Sequence, residues 1–329
     1  MCKNAQAMAN SPHSMRTDAH LGQPSTNWSD LRVFLEVART GKVTSAGRNL
    51  GIDYTTVSRR IRALEEDLGV VLFAKSKARG YELTGNGERL LAHAEAMAGA
   101  AEALRNDALA ESSVLRGQVR IGTTEGFGNF FLAPQLARFQ QRHRELRIDL
   151  LPVPRFVNLS KREADLAVTI EHPKGGPYVC TKLCDYHLRL YATREYLDSH
   201  PPVKTTDDLR EHDFIGYVDE LLFSTELLYM SRIAPSERIV FRSTSVIAQY
   251  TVALQGGELA VLPCFLAAQD ARLLPVLEHE VVVTKSFWIY CHEDHRHLRR
   301  VREIWEHVRA AADANRGLLR GETRKMTLV

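Results

Sequence analysis

The chain has no apolar run that reaches the eighteen or so residues of a membrane-spanning helix. Its first 27 residues are polar, rich in Asn, Ser, His, Pro and Thr, and lack the apolar core of a signal peptide. Both absences argue for a protein of the cytoplasm, working at the nucleoid if it meets DNA, with no membrane partner. Residues 1–27 are expected to be a disordered extension, with Met15 as an alternative start. Cysteine is scarce. The five, Cys2, Cys180, Cys184, Cys264 and Cys291, are odd in number and form no Cys-x-x-Cys pair, which excludes a disulfide framework and fits a reducing compartment. Cys180 and Cys184 are either ordinary thiols or a redox pair. No Gly-x-Ser-x-Gly elbow, phosphate loop or dinucleotide glycine fingerprint occurs, so no catalytic residue and no cofactor is assigned. The cluster His292-Glu-Asp-His-Arg-His297 has metal-ligand chemistry, but it stands between an apolar strand and a helix. Asp294 is expected there as a cap, and no metal is assigned.

What is present begins at Ser29, a candidate N-cap for a helix whose apolar Leu31, Phe34, Leu35 and Ala38 share one face and which Gly41 closes. Thr44 is expected to cap a second helix ending at Leu50, before Gly51. From Tyr54 the apolar Val57, Ile61, Leu64 and Leu68 recur at three and four residue steps, so one stripe of a third helix faces the core. Thr55, Arg59 and Arg62 then point outward, Thr56 and Ser58 flank them, and Asp53 and Tyr54 stand at the N-terminal end. This is helix-turn-helix spacing with a face suited to base edges in a major groove. From Trp28 to Thr84 ten Lys and Arg stand against seven Asp and Glu, so this segment alone matches the whole chain's net charge of +3. A basic module on a neutral body suits phosphate contact, although the same spacing occurs in folds that never touch nucleic acid.

The run Asp30 to Leu91 resembles the winged helix-turn-helix of LysR-type transcriptional regulators nearly end to end. The matching pieces are Ala38 and Gly41, Val57-Ser58-Arg59-Arg60-Ile61, Leu64-Glu65-Glu66-Asp67-Leu68-Gly69, Leu72-Phe73, Leu83-Thr84 and Gly87. Lys42, Gly47 and Lys75 depart from the family's usual Ser, Ala and Arg. Gly47 is expected to cost the second helix about 1 kcal/mol relative to Ala. The resemblance implies a wing carrying Lys75, Lys77 and Arg79 near DNA phosphates or the minor groove, and double-stranded promoter DNA as partner.

Between module and body, residues 87–115 contain no proline. Leu90, Ala94, Met97, Ala101, Leu104 and Ala108 form a heptad seam, which either packs on its own chain or pairs with a twin helix to dimerise the protein. The resemblance implies a homodimer or a homotetramer.

Beyond Gly117 short apolar runs alternate with helical stretches, which reads as an α/β body. Strands are expected at 119–122, 148–153, 164–170, 188–192, 214–218, 238–241, 259–263 and 287–291, with helices at 132–143, 246–256 and 298–311. The fold class is thus α/β, with a mainly α-helical winged N-terminal domain (28–86), a linker helix (87–115) and an effector region of two α/β subdomains. The first would take 117–187 and 290–312, the second 188–289, with a frayed basic tail at 313–329. The resemblance places crossings near Tyr186 to Arg189 and Trp288 to Tyr290, around a cleft for a small-molecule effector. Carried over by position, that cleft takes Thr123, Thr124, Glu125, Gly126 and Phe127 after the first strand and Arg155 after the second. Thr169 and Glu171 follow the third, and Tyr217, Val218, Ser245 and Val246 come from the second subdomain. Arg155 either holds an effector carboxylate through two parallel hydrogen bonds or is a solvated loop arginine. Glu258 replaces a usual glycine and is expected to reshape the turn before Leu259.

Three functions fit these features: a ligand-responsive transcription regulator, a constitutive repressor with a vestigial cleft, or an enzyme or solute binder with an incidental helix-turn-helix. The first joins all of them. In it, recognition helices of an oligomer enter successive major grooves and bend the promoter, and the effector shifts their spacing. RNA polymerase is a further candidate partner.

Overall fold

The computed structural model describes residues 27–76, 80–108, 114–153, 164–173 and 175–329. It forms two compact units, one ending at Ala94 and the other beginning at Glu95. The sequence expectations for residues 1–26 lie outside the described residues.

In the first unit α1 (Trp28–Thr40) is capped by Asn27, whose Oδ1 accepts from Ser29 N at 2.9 Å, and not by Ser29 itself. Gly41, at φ +66°, ends it with a left-handed turn. The second helix, α2 (Val43–Leu50), starts one residue before the expected cap because Lys42 is the last extended residue. Thr44 is therefore an exposed residue of the first turn and caps nothing. The third, α3 (Tyr54–Leu68), is followed by an antiparallel hairpin, β1 (Phe73–Ser76) and β2 (Gly80–Leu83), the wing. Of the expected apolar stripes Leu31, Phe34, Val57, Ile61 and Leu64 are buried in the module's core with Val33, Val37 and Leu72, while Leu35, Ala38 and Leu68 are only half-buried at its edge.

Two polar groups fix the joints. The Glu65 carboxylate accepts from Leu72 N (2.7 Å) and Phe73 N (3.2 Å), tying the end of α3 to the wing. The Thr84 hydroxyl accepts from Gly87 N (3.1 Å) and donates to Val71 O (2.6 Å) at the start of α4 (Gly85–Ala108). Gly47 also has a structural role. A Cβ there would stand 2.7 Å from the Ile52 carbonyl oxygen, so the missing side chain lets the turn between α2 and α3 close.

The seam on α4 is divided. Leu90 packs against the module core and Ala94 is only 1% exposed within it, so these two serve their own chain. Met97, 50% exposed, and Ala101 are open. Leu104 and Ala108 continue the helix, and their side chains lie outside the described residues.

The second unit runs β3 (Gly117–Thr123), α5 (Glu125–Phe127), a π-helical turn (Gly128–Leu132), α6 (Ala133–Arg142), β4 (Leu146–Pro152), β5 (Leu166–Thr169), β6 (Tyr178–Thr193) and α7 (Arg194–Ser199). It continues with β7 (Phe214–Gly216), β8 (Ile239–Arg242), α8 (Val246–Ala253), β9 (Leu259–Pro263), α9 (Cys264–Ala267), β10 (Leu273–Val276), β11 (Val282–His292), α10 (Arg299–Ala314) and α11 (Arg316–Arg320). The strand order is β4-β3-β5-β11-β6-β9-β7-β8, with β10 on β6. Strands β4, β3 and β5 pair in parallel, as do β9, β7 and β8. The long antiparallel pair β6 and β11 runs between these groups, making two α/β subdomains with shared crossing strands. Along β11 the register shifts between Phe287 and Trp288, and Trp288–Cys291 pairs with β5. Continuous burial along β5 and β9 is what a parallel strand covered on both faces requires.

The tail departs from the expectation of a frayed end. Leu318 and Leu319 are buried, and the Arg324 guanidinium donates to the carbonyls of Leu273 (3.0 Å), Ala267 (2.9 Å) and Asp270. Farther on, Gln135 exchanges hydrogen bonds with Thr327 O (2.7 Å) and Val329 N (3.1 Å). This arginine satisfies backbone acceptors and is not loose basic charge. His292, not Asp294, caps the turn after β11, accepting from Asp294 N at 3.3 Å, and α10 starts after Leu298 without a side-chain cap. Among the described residues no group of three or more His, Cys, Asp or Glu is placed to hold a metal ion, and no helix is long and apolar enough to cross a membrane.

Candidate nucleic-acid interface and effector cleft

The outward face of α3 carries Tyr54 (53% exposed), Thr55, Arg59 and Arg62. Asp53 is the N-cap. Its Oδ1 accepts from Thr55 N (2.8 Å) and from the Thr55 hydroxyl, and these bonds hold its carboxyl below the usual range. Asp53 and Thr55 thus satisfy one another and shape the helix start. Thr56 and Ser58 are half-buried beside them. Arg60 turns back to Asp30 (3.5 Å), whereas Arg59 and Arg62 make no ion pair or hydrogen bond among the described residues. Two unpaired guanidiniums one helical turn apart are available for phosphate oxygens or guanine edges. In the wing Lys75 lies opposite Tyr81. Lys77 and Arg79 lie outside the described residues.

In the second unit a cavity of about 50 Å³ lies between the two subdomains, room for about three or four waters. Of the expected contacts, Thr124, Glu125, Gly126, Phe127, Tyr217 and Val246 line it. Thr123 and Thr169 are buried outside the lining; the Thr169 hydroxyl donates to Glu171 O at 2.8 Å and so holds its own loop. Val218, Glu171 and Ser245 are half-buried and also outside it. Arg155 lies outside the described residues. The lining residues that the sequence did not point to include four aromatics, Tyr186 on β6, Phe287 on β11, Phe265 on α9 and Phe223, beside aliphatic residues such as Leu188 and Leu227. Phe287 is their hub, 4.0 Å centroid to centroid from Phe127 and 4.2 Å from Tyr186. In sequence these rings have the apolar pattern of ordinary core, and only the meeting of distant strands makes them walls.

Polar chemistry in the cleft is acidic. Glu125 Oε1 accepts from the Ser245 hydroxyl (3.0 Å), which in turn accepts from Ala248 N (3.1 Å) and so caps α8. Glu171 makes a parallel link: its carboxylate accepts from the Ser224 hydroxyl, which accepts from Glu226 N at 3.0 Å. Each of these glutamates, from the first subdomain, therefore engages a capping serine of the second. Glu125 Oε2 is buried without a hydrogen-bond partner among the described residues. Among the described lining residues Glu125 is the one carboxyl and there is no basic group, so the carboxylate-binding chemistry expected of Arg155 has no counterpart there. Burial, with Glu125 beside it, pushes the Tyr217 phenol up, and burial does the same to Tyr186, so both hydroxyls stay neutral.

The thiols are placed against a redox pair. Four residues apart on one strand, Cys180 and Cys184 are separated by roughly 13 Å, about twice what a disulfide spans. Burial raises Cys180 and pushes Cys184 up to about 12, so neither is a thiolate at neutral pH.

A helix-turn-helix with unpaired arginines on its outer face, joined in one chain to a two-subdomain body with a cleft, defines the class: DNA-binding regulators with a ligand-binding region. The bacterial regulatory helix-turn-helix model of the lysR family matches residues 28–88, and the LysR substrate binding domain matches 112–313. The chain belongs to the LysR family of transcriptional regulators, whose members bind DNA and small-molecule effectors, form oligomers and are not enzymes. It is 29% identical to the transcriptional regulator PtxR of Pseudomonas aeruginosa over 260 residues, 76% of this chain and 82% of PtxR. It is 26% identical to CrgA of Neisseria meningitidis serogroup C over 263 residues, 78% of this chain and 86% of CrgA. The solved structure of CrgA from Neisseria meningitidis superposes with a TM-score of 0.54 at 25% identity, covering 87% of this chain and 98% of CrgA. A full-length variant of OxyR from Pseudomonas aeruginosa shares the fold, with a TM-score of 0.64 at 16% identity over 86% of this chain and 94% of that one.

Proposed function

We propose that this regulator reads promoter DNA through the outer face of α3, with Arg59 and Arg62 as the charged contacts and Tyr54 beside them. The observation that carries the reading is that these two exposed arginines are unpaired among the described residues while their neighbour Arg60 is tied to Asp30. The wing residues Lys75, Lys77 and Arg79 supply phosphate contacts. A homodimer or homotetramer presents two such helices to a two-fold operator in the cytoplasm. The open seam positions Met97 and Ala101 support pairing along the C-terminal half of α4. An effector in the cleft shifts the balance between two arrangements of the oligomer by binding one of them more tightly. Where the outcome is activation, RNA polymerase is the further partner.

The test is selection of genomic fragments by the purified protein, with Arg59→Ala alongside. A dyad-symmetric site is expected from the wild type, and Arg59→Ala should weaken binding to it by about 1 to 3 kcal/mol. Unchanged affinity removes Arg59 from the interface.

A further inference from the structure

The cleft's chemistry identifies a ligand class. We propose that the effector is a small organic cation, a primary ammonium on an apolar or aromatic stem, with its N–H groups on Glu125 and its stem among the rings of Phe127, Tyr186, Tyr217 and Phe287. This rests on the reading of the protein as an effector-responsive regulator and narrows it.

Three observations carry the inference. First, Glu125 lines the cavity and its Oε2 is buried with no donor among the described residues, and a buried acceptor left unmade costs more than a made bond returns. An ammonium supplies that donor as a charge-assisted bond. Second, the rest of the described wall is mainly apolar or aromatic and contains no basic side chain, so an anion would meet the Glu125 carboxylate with no counter-charge among the described lining residues. Ring faces carry negative quadrupole charge and attract a cation at close range. Third, the serines next in sequence to the lining residues Val246 and Phe223 have already given their hydroxyls away, Ser245 to Glu125 and Ser224 to Glu171. The protein's own carboxylates occupy those places. The cavity of about 50 Å³ admits an ammonium head, and a longer stem requires the subdomains to part, which is the motion that would couple binding to the oligomer.

The experiment uses the full-length protein in calorimetry and thermal shift with matched probes: benzylamine against benzoate, phenethylamine against phenylacetate and isoamylamine against isovalerate. At least one amine is expected to bind and raise the melting temperature while its carboxylate does not. Glu125→Gln should weaken that amine at least tenfold. Asp207→Asn, which removes an exposed carboxylate outside the cavity lining, should bind it as tightly as the wild type. Binding of the carboxylates in preference, no binding of any amine at millimolar concentration, or equal loss in both variants overturns the proposal. DNA binding by the same preparation separates the two failures. If the operator is still bound, only the effector class is wrong, and if it is not, the regulator reading itself falls.

Discussion

On α3 the residues offered outward, Tyr54, Arg59 and Arg62, lie within a few turns of one helix, whereas the cleft gathers Glu125, Tyr217 and Phe287 from distant parts of the chain. The first surface is a consequence of local periodicity: once Val57, Ile61 and Leu64 are buried, the opposite face must be exposed. The second is a consequence of topology, since β6 and β11 have to pair before Tyr186 and Phe287 share a wall. The two regions should therefore fail differently when a residue is removed. In the module, losing an outward side chain costs binding and little stability. In the body the same ring serves the fold and the cleft, and the two losses come together.

The sharpest break of that contrast is Phe127→Ala. Phe127 is fully buried, stacked on Phe131 at 4.7 Å and against Phe287 at 4.0 Å. The truncation leaves a cavity and should destabilise the body by about 3 to 5 kcal/mol, read by denaturant unfolding. Below the body's transition, operator contacts of α3 should persist. A loss under about 1 kcal/mol would show that the aromatic cluster repacks, and that its rings are not the rigid walls described above.

Gly47→Ala tests the module from inside and has opposite signs in the two lines of argument. Helix propensity alone makes alanine better by about 1 kcal/mol, and alanine is the usual residue of the family here. The structure places the new Cβ 2.7 Å from the Ile52 carbonyl oxygen, where the backbone of the turn must move. We expect destabilisation by about 1 to 3 kcal/mol and weaker operator binding, because the displaced turn leads directly into α3. An increase in stability would mean that the turn yields without strain.

How much was legible follows the same division. The three helices of the module and the burial of their apolar stripes were readable because helical period and left-handed glycine ends are local signals. Cap identities were displaced by a residue or two, Asn27 for Ser29 and Lys42 for Thr44, since the capping position depends on where the chain turns extended. In the body, β3, β4, β5 and β9 were read nearly at their bounds from short, mainly apolar runs. Strand β6 is sixteen residues long where five were expected, because its first half, from Tyr178, has neither a continuous apolar run nor a strict alternation and carries Lys182 and Asp185. The residues Glu125 and Ser245 were both named as site residues, but their mutual bond joins elements 120 positions apart, and no local pattern predicts it. The tail escaped for a related reason: Arg324 is charged and near the end of the chain, yet its partners are carbonyls around α9 and β10.

The smallest expected effect concerns acid. Burial lowers the basicity of His143, His187, His212 and His307, all in the body. For each, the folded pKa is below the ordinary histidine value of 6.5, so the unfolded chain binds more protons once the pH falls below that value. The stability tied to the neutral imidazoles is complete above about pH 6.5 and declines as the solution is acidified toward about 5. His307 is the clearest case. It is 8% exposed, and its Nε2–H donates to Gln135 O at 3.0 Å, the same Gln135 that holds the tail through Thr327 and Val329. Protonation adds a buried charge beside the anchor of the last residues. The melting temperature of the whole chain should fall between about pH 7 and 5 by less than Phe127→Ala lowers it at neutral pH. His307→Gln keeps a donor for the carbonyl and cannot titrate, so its melting temperature should fall less steeply over the same interval. Parallel slopes for the two proteins would assign the acid sensitivity to the other three histidines.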